Sequence, residues 1–371
     1  MKELQLILET IADCDDKKMI LATVVDVVGS GYRRAGARML IDSNGYSIGT
    51  VSGGCLEADV LERAKRVLQT GAAAVITYDT TNDENSLFGL GMGCRGIVRV
   101  LLEAVTKESD IFKSFNRAVE MREREVVATL ISTDANKNIG ERIYYNQAAQ
   151  FRLANLPGWF ESPEQLKEDC RNVFGGEIKS TVRIYETEAG VAEFFIERIE
   201  PPLNLLLFGA GFDALPVVRF AKALGWRISV IDHRSSFANK ERLPEADEII
   251  VQRAEDLPAE LFADENSVAV VMTHNYERDR EILHRLLNSS CRYIGALGPK
   301  KRTENLIQEL RDEGRIIDEN KANQIHAPVG LDIGAETPEE IALAVIAEIK
   351  TMLAGRSGGF LRERNGSING R

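Results

Sequence analysis

Residues 203–214 read LNLLLFGAGFDA, and the second half of the chain is organised around them. Leu203–Phe208 is a short apolar run bounded by Glu200-Pro201-Pro202 and by glycine, the pattern of a strand buried on both faces. Gly209-Ala210-Gly211-Phe212-Asp213-Ala214 then forms G-x-G-x-x-A at the mouth of a helix. The first glycine permits the tight turn, the second lets the backbone approach a pyrophosphate, and the small third position lets helix and strand pack closely. Phosphate would rest on the free N–H groups of the helix N-terminus. Asp232 closes the next strand, 21 residues after Gly211, where a carboxylate hydrogen-bonds a ribose hydroxyl. The competing reading is a tight turn without a ligand, plus a surface aspartate. His233 and Arg234 leave the choice between a 2′-hydroxyl and a 2′-phosphate open.

Downstream, apolar runs alternate with amphipathic stretches. Arg227–Ile231, Glu248–Val251, Ser267–Met272 and Tyr293–Ile294 read as strands, and Phe212–Leu224, Glu277–Asn288 and Lys300–Asp312 as helices. This alternation predicts an α/β fold, a Rossmann-like doubly wound parallel sheet covered on both faces. Thr337-Pro338-Glu339-Glu340 carries an N-cap, a proline at the first helical position and a capping box, opening a last helix to about Leu353. His274 stands just beyond Ser267–Met272, at the strand end where such sheets bind ligands. It is a candidate pocket residue, with a plain hydrogen-bonding role as the alternative. The proline pair sets a boundary: an N-terminal α+β domain over 1–199, a Rossmann-like domain over 200–354, and a Gly/Ser/Asn/Arg tail over 355–371 that is expected to fray.

Upstream of the boundary, Glu3–Ala12 reads as a helix and Ile20–Val28 as a strand. Arg38–Asp42 and Tyr46–Thr50 flank Asn44-Gly45 as a hairpin, and Leu56–Leu68 forms a helix ended by Gly71. Val75–Tyr78, Ile97–Glu103, Val126–Ser132, Arg142–Tyr145, Thr181–Tyr185 and Glu193–Ile196 are strand-like. No repeat of 20–50 residues is visible.

Two glycine-rich loops stand out. Val51-Ser52-Gly53-Gly54-Cys55-Leu56-Glu57 runs straight into a helix. Its glycines can turn N–H groups toward an anion, and the helix terminus adds about half a positive charge. A cysteine held there gains thiolate character. Gly89–Gly96 (GLGMGCRG) holds Gly93 and Cys94 beside Arg95. Cys55 and Cys94 are candidate functional thiols, against the alternative that they are small buried hydrophobes. Cys14, Cys170 and Cys291 lack such settings and read as structural. A third loop, Gly29–Arg38, contains Arg33, Arg34 and Arg38, which could grip a phosphate or form a solvated turn.

The composition narrows the function classes. The chain has 371 residues, a formal charge of −11 and a sequence pI near 5.2. Nucleic-acid and membrane-surface binding leave a basic excess, which is absent here. Five scattered cysteines without a CxxC pair make neither a disulfide framework nor a zinc ribbon. Four histidines lack metal-ligand spacing, and no Walker A, Gly-x-Ser-x-Gly or EF-hand sequence is present. Without a signal-peptide core or an apolar run long enough to span a membrane, the expectation is a cytoplasmic protein with reduced thiols. A homodimer is the expected assembly, closed two-fold pairs being the commonest.

Taken together, several segments resemble the xanthine dehydrogenase accessory (XdhC/CoxI) family. They are GARMLIDSNGYSIGTVSGGCLEADVLERA (36–64), GLGMGCRGIVRVLLE (89–103), LLLFGAGFDALPVVRFAKALGWRISVIDHR (205–234), THNYERD (273–279), RYIGALGPKKR (292–302) and IHAPVGLDIGAETPEEIALAVIAEI (325–349). The resemblance implies a chaperone that binds the molybdenum cofactor (molybdopterin or its dinucleotide form) and guards its sulfurated form. It would then help insert that cofactor into a molybdenum hydroxylase apoenzyme of xanthine dehydrogenase type, with a cysteine desulfurase as a further partner. Cys55 and Cys94 match the family's cysteine positions, so the resemblance makes them candidate contacts for the cofactor's soft metal or its transferable sulfur. The chain departs from the family at Phe212, where many members have histidine. The dinucleotide fingerprint alone favours a different function, an NAD(P)-dependent oxidoreductase. Hydride transfer needs a placed acid or base, for which His274 is the candidate, and gives the two Gly–Cys loops no purpose.

Overall fold

A computed structural model describes residues 1–14, 18–79, 96–134, 138–146, 150–154, 164–187, 190–262, 264–317 and 319–365. The chain divides into two units, Glu3–Pro201 and Pro202–Arg371.

The first unit is built from the same seven-element series used twice. Helix α1 (Lys2–Asp13) leads into β1 (Met19–Gly29), β2 (Arg38–Ile41) and β3 (Ser47–Gly49), followed by α2 (Glu57–Thr70), β4 (Ala74–Asp79) and β5 (Gly96–Val105). The series returns as α3 (Asp110–Glu120), β6 (Glu125–Thr133), β7 (Arg142–Asn146), β8 (Gln150–Ala154), α4 (Glu164–Gly175), β9 (Ser180–Thr187) and β10 (Gly190–Ile199). Each set makes an antiparallel five-stranded sheet, in order β3-β2-β1-β5-β4 and β8-β7-β6-β10-β9. The expectation of no short repeat therefore misses a duplication of much longer period. Core positions accept any apolar residue of suitable volume, so shared topology leaves little shared text.

Side-chain details repeat as well. Arg38, opening β2, donates from Nη1 to Gly36 O at 2.8 Å and pairs with Glu197 on β10. Arg142, opening β7, donates from Nη1 to Gly140 O at 2.8 Å and pairs with Glu103 on β5. Each arginine thus reaches the carboxylate of the other half. Each also leaves a buried Nε without a partner among the described residues. Tyr78 on β4 donates to Asp59 on α2 at 2.7 Å, and Tyr185 on β9 donates to Asp169 on α4 at 2.7 Å. Arg99 and Glu193 join the two halves by a bidentate pair at 2.6 and 2.7 Å.

The expected Asn44-Gly45 hairpin forms, with Leu40 opposite Ile48. Helices α3 and α4 and strand β8 were not anticipated. Helix α3 buries Ile111, Ser114, Phe115 and Ala118; its apolar stripe is broken by Ser114, whose hydroxyl is satisfied by Glu125.

The second unit is a six-stranded parallel sheet. Its elements are β11 (Asn204–Phe208), α5 (Ala214–Ala223), β12 (Arg227–Ile231), β13 (Glu248–Ile250), β14 (Ser267–Val271), α6 (Tyr276–Leu287), β15 (Ile294–Ala296), α7 (Lys300–Asp312), α8 (Glu319–Ala322), β16 (Ile325–His326) and α9 (Pro338–Leu353). The order β13-β12-β11-β14-β15-β16 is that of a doubly wound fold, with its switch point beside β11. Leu205 and Leu207 face α5 and α9, while Leu206 and Phe208 face α6 and α7. The two residues of β16 are too few to show a period, and this strand was not foreseen. The capping box of α9 is present, with Thr337 Oγ1 accepting from Glu340 N and Glu340 Oε2 accepting from Thr337 N. Past Leu353 the described chain carries one 3-10 turn, Leu361–Glu363; positions 366–371 of the expected tail lie outside the described residues.

Candidate functional site

Two sites emerge, one in each unit. In the first sheet, Gly29 pairs with Gly96, Ile97 with Asp79, and Gly49 with Met39. The end of β1, the end of β3 and both strand ends flanking 80–95 therefore face the same way. The Gly29–Arg38 and Val51–Glu57 loops leave from this end and touch: a Cβ on Gly53 would lie 3.2 Å from the Tyr32 ring.

Within the second of these loops Ser52 is buried and turned inward. Its Oγ accepts from Gly54 N and Leu56 N, both at 3.1 Å, and donates to Glu57. Glu57 Oε1 accepts from Ser52 N at 2.8 Å. Burial works against the Glu57 carboxyl, yet the Ser52 hydroxyl and the N–H groups of Ser52, Glu57 and Leu56 hold it below its usual range. The expected anion cradle is thus partly filled from within, because Gly54 N–H is engaged by Ser52. The N–H groups of Gly53 and Cys55 have no partner among the described residues. Cys55 is exposed, and nothing lies within 4 Å of a Cβ built on Gly54, whose φ of +111° suits glycine. Gly93 and Cys94 lie outside the described residues.

Arg33 and Arg38 of the arginine loop are committed to partners within the first unit. Arg33 pairs with Glu3, and Arg38 with Glu197, so neither forms a phosphate grip. Cys170 is buried and its thiol is pushed up to about 12, and burial also raises that of Cys291, as befits packing residues. Among the described residues no group of three or more His, Cys, Asp or Glu side chains could hold a metal ion.

The second site lies at the carboxyl ends of the parallel strands. Gly209 has φ +113°, and a Cβ there would come within 2.4 Å of Met272 O, so only glycine lets the turn cross β14. A Cβ on Gly211 would meet Asp213 Oδ1 at 2.5 Å. Asp232 sits at the end of β12, but its carboxylate faces inward. Oδ2 accepts from Ala210 N at 2.9 Å and Arg234 Nη2 at 2.7 Å; Oδ1 accepts from Arg234 N at 2.9 Å and Nε at 3.0 Å. Burial opposes ionisation, yet the Arg234 contacts and the Ala210 N–H bring the carboxyl down to about 2.

His274 occupies the left-handed region (φ +57°), and its Nε2 lies 2.7 Å from Asp213 Oδ2, tying the β14 exit to the glycine turn. Thr273 donates to Asp279 at 2.5 Å, and Arg302 donates to the same buried carboxylate at 2.6 Å. Below the turn a cleft of about 190 Å³ is lined by Asp232, His233, Gln252, Arg253, Thr273 and Arg278, among others. Of these, only Asp232 was singled out from sequence as a binding residue. The others lie just past the carboxyl ends of strands or on the first turn of α6, and that position was their available signal.

Comparison with known proteins follows the same division. Residues 205–349 match the XdhC Rossmann domain, and residues 15–79 match the XdhC and CoxI family. A probable xanthine dehydrogenase subunit of Bacillus subtilis is 32% identical, across 90% of this chain and 93% of that protein. The molybdenum cofactor insertion chaperone PaoD of Escherichia coli is 23% identical, across 91% of this chain and 84% of its own. The crystal structure of a xanthine dehydrogenase from Bacillus halodurans superposes with a TM-score of 0.75 at 30% identity, covering 96% of this chain and 97% of that one.

Proposed function

The chain belongs to the XdhC and CoxI family, and from that premise we propose that it serves a xanthine dehydrogenase-type molybdenum enzyme by holding sulfurated molybdenum cofactor and delivering it to the apoenzyme. The likeness to a molybdenum cofactor insertion chaperone along most of the chain supports this reading. The observation that carries it is the exposed Cys55 thiol at the glycine-rich end of the first sheet, next to the Gly53 and Cys55 N–H groups, which have no partner among the described residues.

The residues fit such a group. A pterin cofactor brings its own sulfur ligands to molybdenum, so the protein needs no metal cage. When bound, it supplies a soft metal centre and a transferable sulfur. Cys55 offers a soft donor suited to that centre. Gly53 and Cys55 offer N–H groups to anionic oxygens, and the open space at Gly54 admits a close approach. Ser52 and Glu57 hold the loop that presents these groups.

Cofactor retention by Cys55→Ala and Cys94→Ala tests the thiols: each is expected to bind sulfurated cofactor less tightly than the parent. If both retain it fully, the cysteines are packing residues. The role itself is tested by mixing the cofactor-loaded protein with sulfur-free xanthine dehydrogenase apoenzyme, where recovery of hydroxylase activity is expected. Steady NAD(P)H consumption on a carbonyl substrate, with no such recovery, would give the case to an oxidoreductase.

A further inference from the structure

In a doubly wound nucleotide site, a carboxylate after the second strand takes the ribose diol, whereas an arginine nearby accommodates a 2′-phosphate. Asp232 has the right position for the first role and the wrong contacts. Its side chain is 3% exposed, and both oxygens are engaged by Arg234 and Ala210. A ribose diol would have to displace Arg234 and leave the Ala210 N–H unpaired, a cost that one neutral sugar contact does not offset.

The cations of the same cleft are less committed. The Arg278 guanidinium has no hydrogen-bond or ion-pair partner among the described residues, although its backbone N–H caps α6 through Asn275. Among the described residues the Arg253 guanidinium has only Glu255, at 3.9 Å. His233 lines the same cleft, its Nδ1 3.1 Å from Asp232 Oδ1 and its pKa lowered by burial first and by the Arg278 charge second. Both effects favour its uncharged form. With Asp232 balanced by Arg234, and Glu255 by Arg253, the Arg278 charge is left over. A neutral diol gains nothing from that charge, whereas a phosphate dianion does.

We propose that this cleft binds a nucleotide carrying a phosphate monoester on its ribose, with Arg278 and Arg253 as the phosphate partners and Asp232 serving the protein's own glycine turn. The claim goes beyond the delivery role and is read on the isolated protein, so its failure would leave the apoenzyme reconstitution untouched.

Titration calorimetry of the full chain with NADP, NAD, adenosine 2′,5′-bisphosphate and inorganic phosphate tests it. NADP and the bisphosphate should bind at least about tenfold more tightly than NAD, with an advantage that shrinks as salt rises. The double variant Arg253→Ala/Arg278→Ala should lose that advantage while its thermal midpoint stays at the parent value, both side chains being exposed. Equal or tighter binding of NAD, or no nucleotide binding at millimolar concentration, would overturn the proposal. So would inorganic phosphate binding as tightly as the bisphosphate, which would make the cleft a general anion site.

Discussion

At the scale of single residues, Asp232 shows how a position can be legible while its role is not. Its place after the second strand follows from counting along the chain. That its carboxylate turns inward depends on Arg234, two residues later, and on the rotamer both adopt, which no spacing rule supplies. The contacts carry a pH signature. The carboxyl falls from an ordinary 3.8 to about 2 on folding, so its stabilisation is complete above pH 4 and is lost as pH falls toward 2. Asp232→Asn should lower stability at pH 7 by about 2 kcal/mol. Urea unfolding at pH 7 and pH 3 checks this: the deficit should narrow at the lower pH, and a constant deficit would mean that packing is responsible. His274 is a similar case: its position was foreseen, but its left-handed backbone and its bond to Asp213 were not.

At the scale of elements, boundaries set by local chemistry were the easiest to read. Thr337, Pro338 and Glu340 announce the start of α9 because each satisfies or avoids a terminal N–H group within four residues. Thr337→Ala should cost about 1 kcal/mol, seen as a lower thermal midpoint with the fold unchanged by circular dichroism. The Ser52 clamp is also local yet escaped notice, since a serine followed five residues later by a glutamate is no standard cap. Ser52→Ala leaves the Gly54 and Leu56 N–H groups and the Glu57 carboxylate short of a partner. The expected loss is about 1–3 kcal/mol, with faster amide exchange at residues 52–57. Exchange rates identical to the parent would show that the loop is held by something else. Elements whose stripe carries a polar member, as α3 does at Ser114, can be recognised only once the partner is known.

At the scale of the whole molecule, the parallel sheet could be read in advance and the duplicated first unit could not. Alternation of short apolar runs with helices is a one-dimensional signal; equivalence between halves resides in contacts such as Arg38–Glu197 and Arg142–Glu103, which join residues far apart in the chain. Removing one partner of a buried pair leaves the other charge uncompensated and typically costs about 3–5 kcal/mol. Glu103→Gln and Glu197→Gln should therefore destabilise the protein by similar amounts in urea unfolding. A large inequality between them would deny that the two pairs do the same work.

The reciprocal pairing also bears on how this chain can change over time. In an assembly of two identical protomers, one altered codon removes a contact twice, and a loop lengthened in one protomer is lengthened in both. Here the two copies share a single chain and can drift apart. Two residues separate β9 from β10, whereas the matching connection in the first copy, between β4 and β5, runs to sixteen and carries Cys94. One half is thus free to lengthen a connection while its twin keeps a short one, a division of labour closed to a symmetric pair.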